Sequence, residues 1–416
     1  MMPSVGSAVE QLRINAPRLH ATLDALAQIG TIEGGGVCRL ALSDEDRMAR
    51  DQVVAWMKAL GLEVSVDRIG NVLALRPGEE DVPPVVVGSH IDTVATGGRF
   101  DGNLGVLAGL EVVATLNDAG MTTRKPVAVA FFTNEEGARF APDMMGSGVH
   151  QGALDLHRML ETTGIDGATV GCELERIGYA GDAPVGGYRA DSFIELHVEQ
   201  GPILEFEGFD IGAVTGVQGI SWHEYRLDGV SNHAGTTPMH LRRDAGYVAA
   251  AITTEARRLA QQMGQGQVAT VGVTTLVPNL VNVIAKQARL TVDLRNIDEQ
   301  RLQQAERRLD EYIERTAAAE QVLVSRRRLA RFQPVVFDPD MVAMVEETAG
   351  RMGLKVMRIA SGAGHDAQMF APNCPTAMIF VPSQGGISHN VAEYTAPQQV
   401  EAGANVLLQV VLRRAT

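Results

Sequence analysis

Cysteine is scarce in this chain. Cys38, Cys172 and Cys374 are the only three in 416 residues, an odd number at wide, irregular spacing. That pattern suits neither a disulfide framework nor a zinc knuckle, and it points to a reducing compartment. Cationic residues are also short, with 36 Lys and Arg against 50 Asp and Glu and a formal charge of −14. The balance argues against a nucleic-acid partner, because phosphate recognition needs clustered cations. The one dense basic run, Arg326-Arg327-Arg328, is short and reads as a solvated face. No stretch approaches the roughly 20 apolar residues that a membrane helix needs, so no membrane partner is expected. The N-terminus lacks the basic start and apolar core of a leader, and Glu10 and Arg13 interrupt what apolar character it has. A cytoplasmic location is therefore expected. Internal repeats and low-complexity linkers are missing too.

What is present is an ordinary globular balance, 45% apolar and 21% charged, in a chain too long for a single core. Ile14, Leu19, Leu23, Leu26 and Ile29 have helical spacing. A second helix is expected from Ser43, with Met48, Val54, Met57 and Leu60 on one face and a stop at Gly61. Val85-Val86-Val87, Val127 to Phe132 and Ile194 to Val198 are short apolar runs, as in strands buried on both faces. Each is followed by polar residues, where open α/β sheets bind their ligands. From about Gly212 the pattern changes to strand (His223–Leu227), helix (Asp244–Met263), two strands (Val268–Leu276, Arg289–Leu294), helix (Asp298–Ala319) and strand (Val322–Ser325). That β-α-β-β-α-β order is the ferredoxin-like plan. Asp338-Pro339 then opens another helix, and Thr376 to Val381 reads as another buried strand. The expected fold is α/β, with a discontinuous mixed-sheet domain over 1–210 and 330–416. A smaller α+β domain over 211–329 is inserted into it.

Five candidate ligand positions lie at strand ends. His90 follows Val85-Val86-Val87-Gly88-Ser89, with Asp92 two residues on and Asp101 beyond a glycine-rich loop. Glu135 and Glu136 follow Phe132-Thr133, His197 lies in Glu195-Leu196-His197, and His389 comes after the loop Ser383-Gln384-Gly385-Gly386. Each alone has an ordinary explanation: a hydrogen-bonded histidine, a turn-forming aspartate, a solvated acidic pair. Placed after apolar strands on one edge of one sheet, they converge. Imidazole and carboxylate together suit zinc, manganese, cobalt or nickel, and a carboxylate can bridge two ions.

The stretches GSHIDTVATGGRFDGNLGVLAG, FFTNEEGARF, ELHVEQGPILE, SNHAGTTPMHLRRDA, NVIA, DLR, SGAGHDAQ and GGISHNVAE follow one another from Gly88 to Glu393, within a likeness that runs in order from about Ser43 to the C-terminus. The chain thereby resembles the amidase branch of the M20 peptidase superfamily. That branch holds N-carbamoyl-L-amino acid hydrolases, β-ureidopropionases and allantoate amidohydrolases. The resemblance implies two divalent ions per subunit, Zn²⁺ or Mn²⁺, with Co²⁺ or Ni²⁺ as alternatives. His90, Asp101 and His197 hold one, and Asp101 bridges to a second held also by Glu136 and His389. Glu135 is then the general base, and Asp92 is a carboxylate orienting His90. His233, on the inserted domain, is implied as the oxyanion donor reaching the site of a partner subunit. Asn282 and Arg295 are the implied clamp for a substrate carboxylate, the arginine fork binding both oxygens. Without the resemblance, Arg295 is as well read as an ion pair with Asp298 or another acidic neighbour. Gln200, Gly364 and His365 are further pocket candidates, although His365 and Asp366 could equally form a loop-holding pair. Trp222 is expected to pack where the two domains join. One departure is Val391, which stands in SHNVAE where many members have proline.

The function so implied is metal-dependent hydrolysis of the carbamoyl C–N bond of an N-carbamoyl-L-amino acid, or of N-carbamoyl-β-alanine. The products are amino acid, carbon dioxide and ammonia. An allantoate amidohydrolase, or another amidase or aminoacylase of the branch, is the alternative. A catalytically silent metal- or amino-acid-binding protein is a third reading, and a binder needs no base at Glu135. The inserted domain is expected to act as a lid and to form a homodimer.

Overall fold

The computed structural model describes residues 11–416; residues 1–10, including the Glu10 that interrupts the N-terminal apolar stretch, lie outside them. The chain divides into two compact units, one formed by residues up to Thr215 together with Phe337–Thr416, the other by Gly216–Val336.

The strands, in chain order, are β1 (Glu63–Val66), β2 (Val72–Arg76), β3 (Val85–His90), β4 (Val127–Phe132), β5 (Ser192–Val198), β6 (Ile211–Val217), β7 (Gly219–Asp228), β8 (Val268–Val277), β9 (Gln287–Asn296), β10 (Leu323–Phe332), β11 (Val335–Val336), β12 (Val356–Ser361) and β13 (Thr376–Val381). Nine of them form a mixed sheet in the order β1-β2-β4-β3-β5-β13-β6-β11, with β12 also on β6. The central four, β4, β3, β5 and β13, run parallel, so their carboxyl ends share one edge. These strands are buried along their whole length, which is why they read as continuous apolar runs and not as alternation. Helices Asn103–Asp118 and Pro397–Ala415 pack on this sheet and are themselves mostly buried. No helix among the described residues is long and apolar enough to cross a membrane.

The second unit is a four-stranded antiparallel sheet, ordered β10-β7-β9-β8. Helices Ala245–Met263 and Glu299–Ala319 complete the expected β-α-β-β-α-β order. Asp244 and Asp298 cap these helices, each side chain accepting two backbone N–H bonds in the first turn. Leu227, Ile252, Leu259, Leu290, Leu309 and Ile313 are among the side chains that form its core between sheet and helices.

Three details differ from expectation. β6 starts at Ile211 and pairs with β13 in the large sheet, so the smaller unit begins at Gly216. The helix capped by Ser43 buries Asp46, Ala49, Arg50, Val53 and Met57, while Met48 is 52% exposed. Arg50 displaces the apolar stripe because it is held from within, by Asp46 at 2.8 Å, Gly70 O at 2.8 Å and Thr133 Oγ1 at 3.2 Å. The run Arg326-Arg327-Arg328 lies on β10, which is longer than expected, and is exposed there. Arg326 pairs with Asp310, and Arg327 with Glu224 at 3.1 Å.

Candidate active site

The parallel strands deliver the site. His90 ends β3, His197 lies near the end of β5, Glu135 and Glu136 follow β4, and His389 follows β13. Asp101 comes from the loop ahead of the helix Asn103–Asp118. That loop crosses directly over His90: a Cβ at Gly102, whose φ is +67°, would lie 2.4 Å from the imidazole Nε2. Only glycine fits both that backbone and that approach.

Asp101 divides its two oxygens between two groups of side chains. Its Oδ1 lies 3.5 Å from His90 Nε2 and 3.2 Å from His197 Nε2. Its Oδ2 faces His389 Nε2 at 3.6 Å, and that nitrogen is 3.2 Å from Glu136 Oε2. Within each group, one donor atom per residue lies within 4.8 Å of the others, so each group could hold a divalent ion. The first group is deep, with His90 and His197 only 1% exposed; the second is at the mouth, with His389 50% exposed. Two of the three imidazoles, those of His90 and His197, are held with Nδ1 on a backbone carbonyl, which leaves Nε2 as an acceptor. His197 Nδ1 donates to Val198 O at 2.8 Å and its Nε2 accepts from Gly102 N at 3.2 Å. His90 Nδ1 is likewise 2.9 Å from the carbonyl of Asp92. A third group, Glu195 with His197 and His365, is less suited to a cation. Both Glu195 oxygens are already engaged, by Ser89 Oγ at 2.7 Å and Ala367 N at 2.8 Å.

Glu135 belongs to none of these groups, although its Oε2 lies 3.4 Å from His90 Nε2. Burial pushes its carboxyl well above the usual carboxylate range, and although His90 opposes this, Asp366, Glu136 and Asp92 add to it. That direction suits a base working near neutral pH. For Asp101, burial favours the neutral acid, but the adjoining His197 and His90 outweigh it and hold the carboxyl well below its ordinary value. The hydrogen bond to Glu136, opposed by burial, raises His389 to about 9.

The remaining candidates divide between the units. Gln200 Nε2 donates to Asp101 Oδ2 at 2.8 Å, and with Gly364 and His365 it lines a cavity of about 110 Å³ over the ligands. His365 bonds Ser361 Oγ at 2.9 Å, so its partner is not the neighbouring Asp366. Within the smaller unit, His233 and Asn282 lie on adjoining segments: Ala234 N donates to Asn282 O at 2.9 Å. Arg295 pairs with Asp293 at 2.9 Å and lies over Trp222, while Asp298 is committed to its helix cap. Trp222 itself is 39% exposed.

Asp92 differs from the carboxylate expected to orient His90. Its carboxylate is 3.9 Å from His90 Nδ1 and instead accepts from Glu135 N and Glu136 N, at 3.2 and 3.3 Å. It therefore holds the turn that presents both glutamates, while its carbonyl orients the imidazole. Three residues around the site escaped sequence reasoning. Ser388 Oγ donates to Asp101 Oδ2 at 3.1 Å, and Glu393 accepts from the backbone of the Asp101 loop. Arg39, fully buried and lowered to about 10 by desolvation, ties Ile91 O at 3.1 Å to Asn103 Oδ1 at 2.7 Å. Ser388 and Glu393 sit in the same motif as His389 and could have been flagged from it; nothing in the sequence marks Arg39. A second cavity, about 240 Å³ and lined in part by His150 and Tyr188, has no converging ligand group among the described residues.

Known proteins are similar to this chain. Residues 86–413 match the family described as peptidase family M20/M25/M40. An N-carbamoyl-L-amino-acid amidohydrolase of Rhizobium meliloti is 42% identical over 407 residues, covering 98% of each chain. One from Geobacillus stearothermophilus is 37% identical, over 96% of this chain and 98% of the relative. A crystal structure from Burkholderia multivorans, described as an amidase of the hydantoinase/carbamoylase family, is 46% identical. It superposes with a TM-score of 0.95, over 97% of this chain and 98% of that one. With its parallel strands converging on an Asp101 shared between two ligand groups, the chain belongs to peptidase family M20/M25/M40 and, within it, to the hydantoinase/carbamoylase amidase branch.

Proposed function

We propose that this protein hydrolyses the carbamoyl C–N bond of an N-carbamoyl-L-amino acid, using two divalent ions held by His90, Asp101, His197, Glu136 and His389. The observation that carries this reading is the division of the Asp101 oxygens between a deep and a shallow ligand group, with the Glu135 carboxyl beside them but outside both. The names of the Rhizobium and Geobacillus relatives support the choice of substrate class. Ions bound there supply a water of lowered pKa and polarise the scissile carbonyl. Glu135 takes the proton of the attacking water and delivers it to the departing α-nitrogen. The C–N bond breaks to leave the free amino acid and carbamate, which decomposes to carbon dioxide and ammonia.

His233 is assigned to the oxyanion. Its Nδ1 accepts from Gly235 N at 3.0 Å and Thr236 N at 3.2 Å, so the ring proton sits on Nε2, a donor facing outward. We assign that donor to the site of a second subunit. Edge strand β8, with Val268, Val273, Leu276 and Val277 all at least 36% exposed, supports a homodimer through this unit. Three free thiols fit a reducing, cytoplasmic setting.

The test is a substrate panel with added Mn²⁺: N-carbamoyl-L-amino acids, N-carbamoyl-β-alanine, allantoate, N-acetyl amino acids and dipeptides. N-carbamoyl-L-amino acids are expected to have the highest kcat/KM, and a dominant allantoate rate would replace the reading. Arg295 and Asn282 are assigned to the substrate carboxylate. Arg295→Ala is expected to raise KM by about 10- to 100-fold, the worth of a charged hydrogen bond, with kcat little changed. A large fall in kcat at constant KM would place Arg295 at the reacting atoms instead.

A further inference from the structure

Glu393 is 6% exposed, and no part of the mechanism above uses it. Its Oε1 accepts from Phe100 N at 2.9 Å and from Asp101 N at 3.2 Å, across 292 residues of sequence in the second case. Its Oε2 is buried and lacks a hydrogen-bond partner. A buried carboxylate oxygen left unpaired destabilises a fold, so stability alone is a poor reason for an acid here. The surrounding chain is shaped to admit it: a Cβ at Gly98 would lie 2.3 Å from its carboxyl carbon.

The same segment carries His389, and other contacts tie it to the Asp101 loop. Thr96 Oγ1 donates to His389 O at 3.2 Å, and Ser388 Oγ to Asp101 Oδ2 at 3.1 Å. Val391, where many members of the branch have proline, fills the space above Gly36, whose Cβ would come within 2.4 Å of it. His389 itself has a φ of +52°, a conformation that costs a non-glycine residue energy and persists only where neighbours impose it. The most buried of these restraints is Glu393.

We infer that Glu393 is a positioning residue that sets the bridging Asp101 against His389, so that the shallow ligand group closes around its ion. The inference rests on the two-ion reading. It predicts a selective effect, because the deep group keeps His90 and His197, anchored by their own strands and carbonyls, whereas the shallow group depends on His389, which is set against Asp101 by this contact region and by Gln200. Loss of a group that orients metal ligands typically weakens binding by about 10- to 100-fold.

The experiment is Mn²⁺ titration by calorimetry of wild type, Glu393→Ala, Glu393→Gln and Gly98→Ala, with folding checked by circular dichroism. Wild type is expected to bind two ions. Glu393→Ala should lose about 10- to 100-fold in affinity for one ion only, and Glu393→Gln should keep both, since its amide oxygen still accepts the two N–H groups. Gly98→Ala displaces the same carboxylate from the other side and should reproduce the selective loss even if Glu393→Ala misfolds. Unchanged binding in Glu393→Ala or Gly98→Ala beside a two-ion wild type overturns the role of Glu393 alone. So does equal loss in Gln and Ala. A wild type that takes up fewer than two ions overturns this inference and the two-ion reading together.

Discussion

Chelation is expected to reduce hydrolysis to the uncatalysed background, and a divalent ion such as Mn²⁺ or Zn²⁺ to restore it. A water that no ion activates has a pKa of about 15.7, against about 7 for one on a suitable cation. Glu135, raised above the carboxylate range as it is, remains far too weak a base for the first and is well matched to the second. The ligand set makes the same argument from charge. Asp101 and Glu136 place two carboxylates against His90, His197 and His389 in a cavity of about 110 Å³, which a cation completes better than protons do. Thermal melting gives an independent check, since ions that bind only the folded chain must raise Tm. Full activity in protein shown by elemental analysis to be metal-free would remove the basis of the proposed mechanism.

Glu135→Gln should lower kcat by about 10²-fold or more while leaving both ions bound. The amide keeps the shape and the backbone N–H that donates to Asp92, but it cannot take a proton from water. Glu135 belongs to neither ligand group, whereas Glu136 is 3.2 Å from His389. Metal content therefore separates the two neighbours. Glu136→Gln is the variant that should release an ion. Loss of metal from Glu135→Gln with retention in Glu136→Gln would exchange their roles.

Much of the fold and the site was legible because parallel strands write themselves plainly. Val85 to Val87 and Val127 to Phe132 are apolar on both faces, and the residues just after each run must lie at the sheet edge. The order of the smaller unit was equally readable from caps and periodicity, Asp244 and Asp298 marking its helices. The features that stayed hidden depend on distance in the chain or on main-chain direction. Glu393 meets the Asp101 loop 292 residues away, and a single sequence carries no trace of such a pairing. The spacing of His90 and Asp92 suggests a carboxylate–imidazole contact, but the turn after β3 brings the carbonyl to the ring and sends the carboxylate to the glutamates. Arg50 and Arg39 defeat burial rules based on polarity, because backbone carbonyls and side chains take up their donors inside.

The strand order has a consequence for how the chain is made. β13 lies between β5 and β6, parallel to one and antiparallel to the other, yet it leaves the ribosome only after the whole of Gly216–Val336. At roughly 5–20 residues per second, synthesis of that stretch alone separates β6 from β13 by about 6–24 s. Until β13 arrives, β5 and β6 each present an unpaired strand edge at what will become the centre of the sheet, and open edges of that kind recruit other chains. The smaller unit can meanwhile complete its own core, since all four of its strands and both helices lie within that stretch. Soluble yield is thus expected to depend on translation speed across Gly216–Val336, a region that supplies no member of either ligand group.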